Sequence, residues 1–359
     1  MAKITVLIVD DSALVRKLLS EVLNSDADIE VIGTATDPYQ AREKIKKLNP
    51  DVVTLDIEMP RMDGVTFLKN LMRLHPLPVI MVSTLTEQGA QVTLEALEIG
   101  AVDFVAKPKI DLSNTLSDYA EEIIEKVKTA AEVNTSALVR EKLFLQQPPE
   151  KLTADAVLAK RLPTAIPSYL KTSDKVIAIG SSTGGTEALK TILQQLPANC
   201  PGIVIAQHIP ASFSGPFAER VNRSSLINVS EAIDGQQILP GHAYIAPGGQ
   251  HLMVERDGAR FNCKLNDGPA VNRHKPSVDV LFRSVAQNVG ANAIGVMLTG
   301  MGDDGAKGML EMKDAEAFNF VQDKKSCIVW GMPMQAIKIG ATDLQVPLEK
   351  IAAKLMSLA

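Results

Sequence analysis

The sequence predicts an α/β chain of two doubly wound units joined by a linker, and three observations carry that prediction. Short, continuous apolar runs, such as Ile4–Val9 and Gly202–Gln207, lack the in–out alternation of half-exposed strands, so they read as parallel strands buried on both faces. Helical patterns separate these runs. Nearly every run ends in a residue that can do chemistry. At 359 residues, the chain is long enough for two domains with proper cores.

In the first unit, residues 1–124, Ile4–Val9 ends in Asp10-Asp11, and a helix follows with Leu14, Leu18 and Val22 on one stripe. Residues 31–34 form a second strand and 40–48 a second helix. The strand at 51–55 ends in Asp56, that at 79–82 in Ser83, and that at 102–106 in Lys107-Pro108. Residues 113–133 read as the last helix of the unit. In an open parallel sheet, ligands gather outside the carboxyl ends of the strands. Three carboxylates meeting there repel one another, and a hard divalent cation relieves the repulsion. Mg²⁺, bound by oxygen ligands, suits Asp10, Asp11 and Asp56.

These residues resemble the receiver domain of two-component response regulators, over residues 3–124. The resemblance implies phosphoryl transfer from a histidine kinase to the Asp56 carboxylate. It implies that Asp11, Asp56 and the Glu58 carbonyl hold Mg²⁺, while Ser83 and Lys107 receive the phosphoryl oxygens. Positioned cations are what a transferring phosphoryl group requires.

Residues 125–172 lose periodicity. Pro148-Pro149, Pro163 and Pro167 stand among polar residues, with a helical scrap at 137–145, as in an interdomain linker.

The second unit, residues 173–359, opens with a strand at 176–179 that runs into Gly180-Ser181-Ser182-Thr183-Gly184-Gly185 and a helix at 186–196. Strand, sharp glycine turn, helix: a serine at such a corner stands beside backbone N–H groups that can hold an anion. The Gly-x-Ser-x-Gly spacing puts Ser182 at the corner rather than Ser181. Gly202–Gln207 ends in His208. Further strands fall at 227–230 and 243–246, and Asp257-Gly258 is a hairpin turn between 252–255 and 260–263. A helix at 277–289 and a strand at 293–298 lead to Gly300-Met301-Gly302-Asp303-Asp304-Gly305. Strand ends therefore present a nucleophile, a base and an aspartate pair, the parts of an acyl-transfer triad. Spacing does not choose between Asp303 and Asp304. Met301 could offer its backbone N–H to an oxyanion. His242, His251 and His274 read as surface or core histidines.

This half is similar to the catalytic domain of the chemotaxis protein-glutamate methylesterases. The similarity rests on the Ser182 turn, Gln207-His208, Tyr244-Ile245-Ala246-Pro247-Gly248, the Thr299–Gly305 loop and Gly331-Met332-Pro333. It implies Ser182 as nucleophile, His208 as general base and acid, Asp304 as the acid that holds His208, and Thr183 and Met301 as oxyanion or site-lining residues. Ser181 stands where the family has a small alanine. Asp303 stands where it commonly has asparagine, and a like charge there could disturb Asp304. The implied activity is demethylation of glutamate methyl esters on chemoreceptors, with deamidation of glutamines, and no cofactor in this domain. Docking of the first unit over the Ser182 mouth is expected to restrain the second until Asp56 is phosphorylated. A 173–359 fragment is then expected to outrun the unphosphorylated chain.

Composition agrees with this class. A net charge of −5 leaves no basic surplus for duplex DNA, and no helix-turn-helix pattern is present. A transcription factor is therefore excluded. The rival is a phospho-switched binding module, but the turn lacks the Lys-Ser/Thr of a phosphate loop. Asp10 and Asp11 interrupt the first apolar run, so no signal peptide is expected, and no stretch is apolar enough to span a bilayer. Three cysteines without metal spacing suit a reduced, cytoplasmic protein.

Overall fold

The structure is a computed structural model that describes residues 3–60, 62–84, 87–107, 115–132, 152–160 and 175–359. The chain divides into two compact units, residues 1–146 and 147–359.

The first unit runs β1 (Ile4–Val9), α1 (Ala13–Asn24), β2 (Ile29–Ala35), α2 (Pro38–Leu48), β3 (Val52–Asp56), α3 (Gly64–Leu74), β4 (Val79–Ser83), α4 (Glu87–Ile99), β5 (Asp103–Ala106) and α5 (Thr115–Glu132). The five strands form one parallel sheet in the order β2-β1-β3-β4-β5. Its topological switch lies between β1 and β3, which places Asp10 and Asp56 at the crevice where such sheets bind ligands. Short polar side chains start the helices. Asp37 accepts the N–H groups of Tyr39 and Gln40, and Asp63 accepts that of Thr66. The apolar stripe of α1 keeps two of the three expected residues, the buried Val22 and Leu18, which packs partly buried on the core, and loses Leu14. Leu19, Val22 and Leu23 are buried, whereas Leu14, in the first turn, is 53% exposed. A 3.6-residue period fits either stripe. The sheet's position selects the one that faces β1.

The second unit runs β6 (Val176–Ser181), α6 (Gly185–Leu193), β7 (Gly202–Gln207), α7 (Ala211–Asn222), β8 (Asn228–Glu231), β9 (His242–Ile245), β10 (His251–Asp257) and β11 (Arg260–Asn266). It continues with α8 (Val278–Asn288), β12 (Ala293–Met297), α9 (Ala306–Asp314), β13 (Phe318–Gln322), α10 (Met332–Lys338), β14 (Gln345–Val346) and α11 (Leu348–Leu358). Seven strands make a parallel sheet in the order β14-β13-β12-β6-β7-β9-β8, and β10 and β11 form a separate antiparallel hairpin. From β6 the chain winds outward to β7 and the edge strand β8, comes back to insert β9 between them, then crosses to the other side of β6 as β12. The switch therefore falls between β6 and β12, with the Ser182 turn on one side and the Thr299–Gly305 loop on the other. The expected hairpin and the expected strands through β12 are present with ends moved by a residue or two or, in the hairpin, up to three. The expected helix at 186–196 ends at Leu193, although Leu196 is still buried.

Part of the stretch expected as linker has structure. Residues 125–132 lie in α5, within the helix expected over 113–133, and residues 152–160 belong to the second unit. There Ala154 is buried with Val271 and Val280. The buried Arg283 donates to Asp155 and to the Leu158 carbonyl while its other edge pairs with Glu311. The helical scrap expected at 137–145, Pro108, Pro148, Pro149, Pro163 and Pro167 lie outside the described residues. Among the described residues no helix is long and apolar enough to cross a membrane.

Candidate active site

Ser182 stands at the corner between β6 and α6. Its N–H donates to the Thr299 carbonyl across the switch (3.1 Å), and the Gly185 N–H closes the turn on the Ser182 carbonyl (2.7 Å). Gly184 takes φ +76°, a left-handed conformation that glycine adopts without strain. Gly185 admits no side chain: a Cβ there would lie 2.1 Å from Gln207 Oε1 and 2.7 Å from Ser181 Cβ. The two serines are thereby separated by role. Ser181 points into the core, where its hydroxyl donates to Gln207 Oε1 (2.7 Å). The Gln207 amide in turn donates to the carbonyls of Ser182 and His208. Ser182 Oγ lies 3.1 Å from His208 Nδ1.

On its far side, His208 Nε2 lies 2.7 Å from Asp304 Oδ2. Both ring nitrogens are thus engaged, so the ring cannot be turned over without losing both contacts. Asp304 is fully buried in a cage of donors. Oδ2 also accepts the Val278 N–H (2.7 Å); Oδ1 accepts Asn272 Nδ2 (2.7 Å), Ser277 Oγ (2.8 Å) and the Asp279 N–H (3.1 Å). Three of these donors belong to the first turn of α8, the positive end of a helix dipole. Burial works against the charge, but the hydrogen bond and charge of His208 outweigh it and hold the Asp304 carboxyl well below the usual range. With Asp304 anionic and acceptor-only, the imidazole proton sits on Nε2 and leaves the Nδ1 lone pair facing Ser182.

Asp303, its sequence neighbour, is half-buried, and the contact to His208 Nε2 is made by Asp304. The like charge beside Asp304 comes instead from Asp279. Burial, then the Asp304 charge, push its carboxyl up to about 7. His274, read from sequence as surface or core, stacks on His208 with centroids 3.6 Å apart and planes 13° from parallel. His251 is structural: its Nδ1 accepts the Ser277 N–H, its Nε2 meets the Pro269 carbonyl, and burial pulls its pKa down. Thr183 follows Ser182 directly and is buried, with its carbonyl accepting the Thr299 hydroxyl (3.0 Å). Met301 follows Gly300, which lies so close to the serine that a Cβ would stand 2.9 Å from Ser182 Cβ. Sequence reasoning missed Asn272, Ser277 and Asp279, whose only signal was their place just before and at the start of a helix.

In the first unit the structure brings Asp10, Asp11 and Asp56 together, with one carboxylate oxygen from each within 4.8 Å of the others. Lys107 Nζ donates to Asp56 Oδ2 (2.7 Å) and lies 3.5 Å from Asp10 Oδ2. Ser83 is buried at the end of β4 and accepts the Thr93 hydroxyl (2.8 Å). The Glu58 N–H donates to Asp56 Oδ1 (3.2 Å), which places the Glu58 backbone beside that carboxylate. Burial pushes Asp56 up to about 6 and raises Asp10, despite the Lys107 charge. Asp10 Oδ2 is buried without a hydrogen-bond partner. An acceptor left orphaned among carboxylates that resist ionisation fits a divalent cation.

Residues 177–355 match the CheB methylesterase family, and residues 6–117 match the response regulator receiver domain family. A protein-glutamate methylesterase/protein-glutamine glutaminase from Hydrogenovibrio crunogenus is 59% identical over 100% of this chain and 99% of its own length. One from Xanthomonas oryzae pv. oryzae is 58% identical over 99% and 97%. Among solved structures, the CheB methylesterase catalytic domain of Thermotoga maritima is 38% identical and superposes with a TM-score of 0.51, over 52% of this chain and all of that one.

Proposed function

The chain belongs to the CheB methylesterase family and carries a receiver domain, and on that premise we propose that it hydrolyses glutamate methyl esters, and deamidates glutamines, on chemoreceptors under control of phosphorylation. The observation that carries the reading is the unbroken chain Ser182 Oγ–His208–Asp304, at 3.1 and 2.7 Å, across the switch point of the second sheet.

His208 Nδ1 takes the Ser182 proton as Oγ attacks the ester carbonyl, and the imidazolium that forms is stabilised through Nε2–H by Asp304. The oxyanion forms beside the backbone N–H groups of Thr183 and Met301, which we assign to its stabilisation. As the carbon–oxygen bond breaks, Nδ1–H gives its proton to the departing methoxide, releasing methanol. For a glutamine the leaving group is ammonia. A water then gives its proton to Nδ1, attacks the acyl-serine and restores the glutamate carboxylate and the Ser182 hydroxyl. No cofactor enters this scheme.

In the receiver unit, Asp56 is the proposed phosphoacceptor, facing a histidine-kinase phosphodonor. Asp10, Asp11, Asp56 and the Glu58 carbonyl are the groups that would hold Mg²⁺. Bound there, the ion would neutralise charge on the transferring phosphoryl group. Lys107 and Ser83 would take the phosphoryl oxygens. The boundaries that go with this reading are a receiver at 1–124 and a hydrolase at 173–359. The work is placed in the cytoplasm, on the cytoplasmic part of the receptors.

Methanol release from a methylated chemoreceptor tests the proposal directly. The intact chain should release it, a phosphodonor should accelerate release, and Ser182→Ala should abolish it. A chain that binds methylated receptor and releases no methanol would instead be a phospho-switched binding module.

A further inference from the structure

The cage around Asp304 contains two side chains that no part of the reaction scheme uses, Ser277 and Asn272, and Asn272 alone bridges to a second acid. Asn272 is buried, with φ +50°, a left-handed conformation that asparagine tolerates better than most residues. Its Nδ2 carries two hydrogens and both are spent on carboxylates: one on Asp304 Oδ1 (2.7 Å), the other on Asp279 Oδ2 (2.7 Å). Asp279 Oδ1 accepts the Gly308 N–H (2.7 Å) at the first turn of α9, so both acids are wedged between helix starts. Two carboxylates buried this close repel, and the asparagine amide NH₂ is the shortest neutral side-chain group that donates to both. A hydroxyl could donate to only one. Ser277, on the same Asp304 oxygen, does just that.

We propose that Asn272 is a positioning residue for the hydrolysis: its amide locks the plane of the Asp304 carboxylate toward His208 Nε2 and shields it from Asp279. The inference rests on the triad reading above. Asn272 touches neither substrate nor His208, and acts wholly through Asp304. The titratable groups that face this pair are His208, His274 and His251 around Asp304, and Lys307 toward Asp279.

Two variants of the full chain test it. Asn272→Gly keeps the left-handed backbone and removes the amide; Asn272→Asp keeps the shape and replaces both donors by a third carboxyl. We expect kcat to fall about 10- to 100-fold in Asn272→Gly, the scale of one buried hydrogen bond to a charged group, with KM moving less than about twofold. The acid limb of the kcat–pH profile should move to higher pH, because a carboxylate with one donor fewer is more basic and holds the protonated form of its imidazole partner more firmly. Adding Asp279→Asn to Asn272→Asp returns the cluster to two carboxyls and one amide and should recover part of the loss. Wild-type kcat with an unmoved acid limb in Asn272→Gly would overturn the proposal. So would a loss of kcat that follows a collapsed melting temperature while the limb stays in place. Labelling of Ser182 by a fluorophosphonate in the same variants needs no receptor. If wild type labels but releases no methanol, the esterase reading has failed, and the labelling rates of the Asn272 variants still decide this inference.

Discussion

Ser181 and Ser182 are adjacent hydroxyls with opposite surroundings, and substitution should separate them cleanly. Ser182→Ala should cost on the order of 10⁶-fold in turnover if the three residues act as a unit. Ser181→Ala should keep most activity, but strands Gln207 Oε1 and should cost about 1–3 kcal/mol of stability, read by denaturant unfolding. The acids separate in the same way. Asp304→Asn should lower turnover by up to roughly 10⁴-fold because the imidazole loses the acceptor that fixes its tautomer, whereas Asp303→Asn should change it little. Comparable losses at both aspartates would sink the single-acid assignment. Asp304 also has a signature in stability. Its folded pKa lies below the unfolded value of 3.8, so its contribution is present above that value and is lost as pH falls below it. Acid unfolding of the wild type should therefore be steeper below about pH 4 than that of Asp304→Asn.

The β6–α6 turn works because glycines leave room for their neighbours, and Gly185 is its tightest point. In Gly185→Ala the new methyl would displace the Gln207 side chain, which ties Ser181 to the carbonyls of Ser182 and His208. Overpacking of this kind costs about 1–3 kcal/mol. Turnover should fall with stability, and Ser182 labelling should slow even where the protein remains folded. An alanine at 185 that labels at the wild-type rate would mean that the turn is softer than its contacts imply. The α8 start is the second element on which the site depends. It supplies two backbone N–H groups and the Ser277 hydroxyl to Asp304, so a helix dipole and a cap serve an acid 27 residues further along the chain.

The receiver stores an electrostatic cost that ligands can relieve. Asp56 titrates near 6 in the folded unit against 3.8 unfolded, so the folded state binds this proton more tightly. The stabilising effect of protonation is full below pH 3.8 and is lost as pH rises through about 6, at a cost on the order of 3 kcal/mol by neutral pH. Mg²⁺ should therefore raise the melting temperature of the receiver transition strongly at about pH 7.5 and weakly at about pH 5, where the carboxylate holds its proton. Chelation should reverse the rise, and Asp56→Asn should remove most of it. The same substitution should leave basal methanol release intact and abolish its stimulation by a phosphodonor. A fragment starting at Gln147 keeps residues 152–160 on their Arg283 seat, so it is a sounder test of restraint than one starting at 173. It should release methanol faster than the unphosphorylated chain. A fragment no faster would remove occlusion as the mode of control.

Much of this architecture was legible in order along the chain, for a physical reason. Short unbroken apolar runs that alternate with helical patterns read as buried parallel strands, and parallel strands deliver their carboxyl ends to one edge of a sheet. Asp10, Asp56, Ser83, Lys107, Ser182 and His208 were therefore readable as site candidates before any coordinate. Local pattern also separated Ser182 from Ser181, because only one of them falls between two correctly spaced glycines. The second unit's final elements and the packing of residues 152–160 were not readable, since polar or broken periodicity does not distinguish a strap from a linker. The choice of acid rested on the family resemblance and not on local pattern. Asp303 and Asp304 are equivalent in sequence, and only the packing of α8 against the β12–α9 loop turns one carboxylate into a cage of donors. Which imidazole nitrogen faces the serine, the stacking of His274, and the amide of Asn272 between two acids were likewise settled in three dimensions. Each is a distance between residues far apart along the chain, and such distances are fixed by how whole elements pack, which no local periodicity encodes.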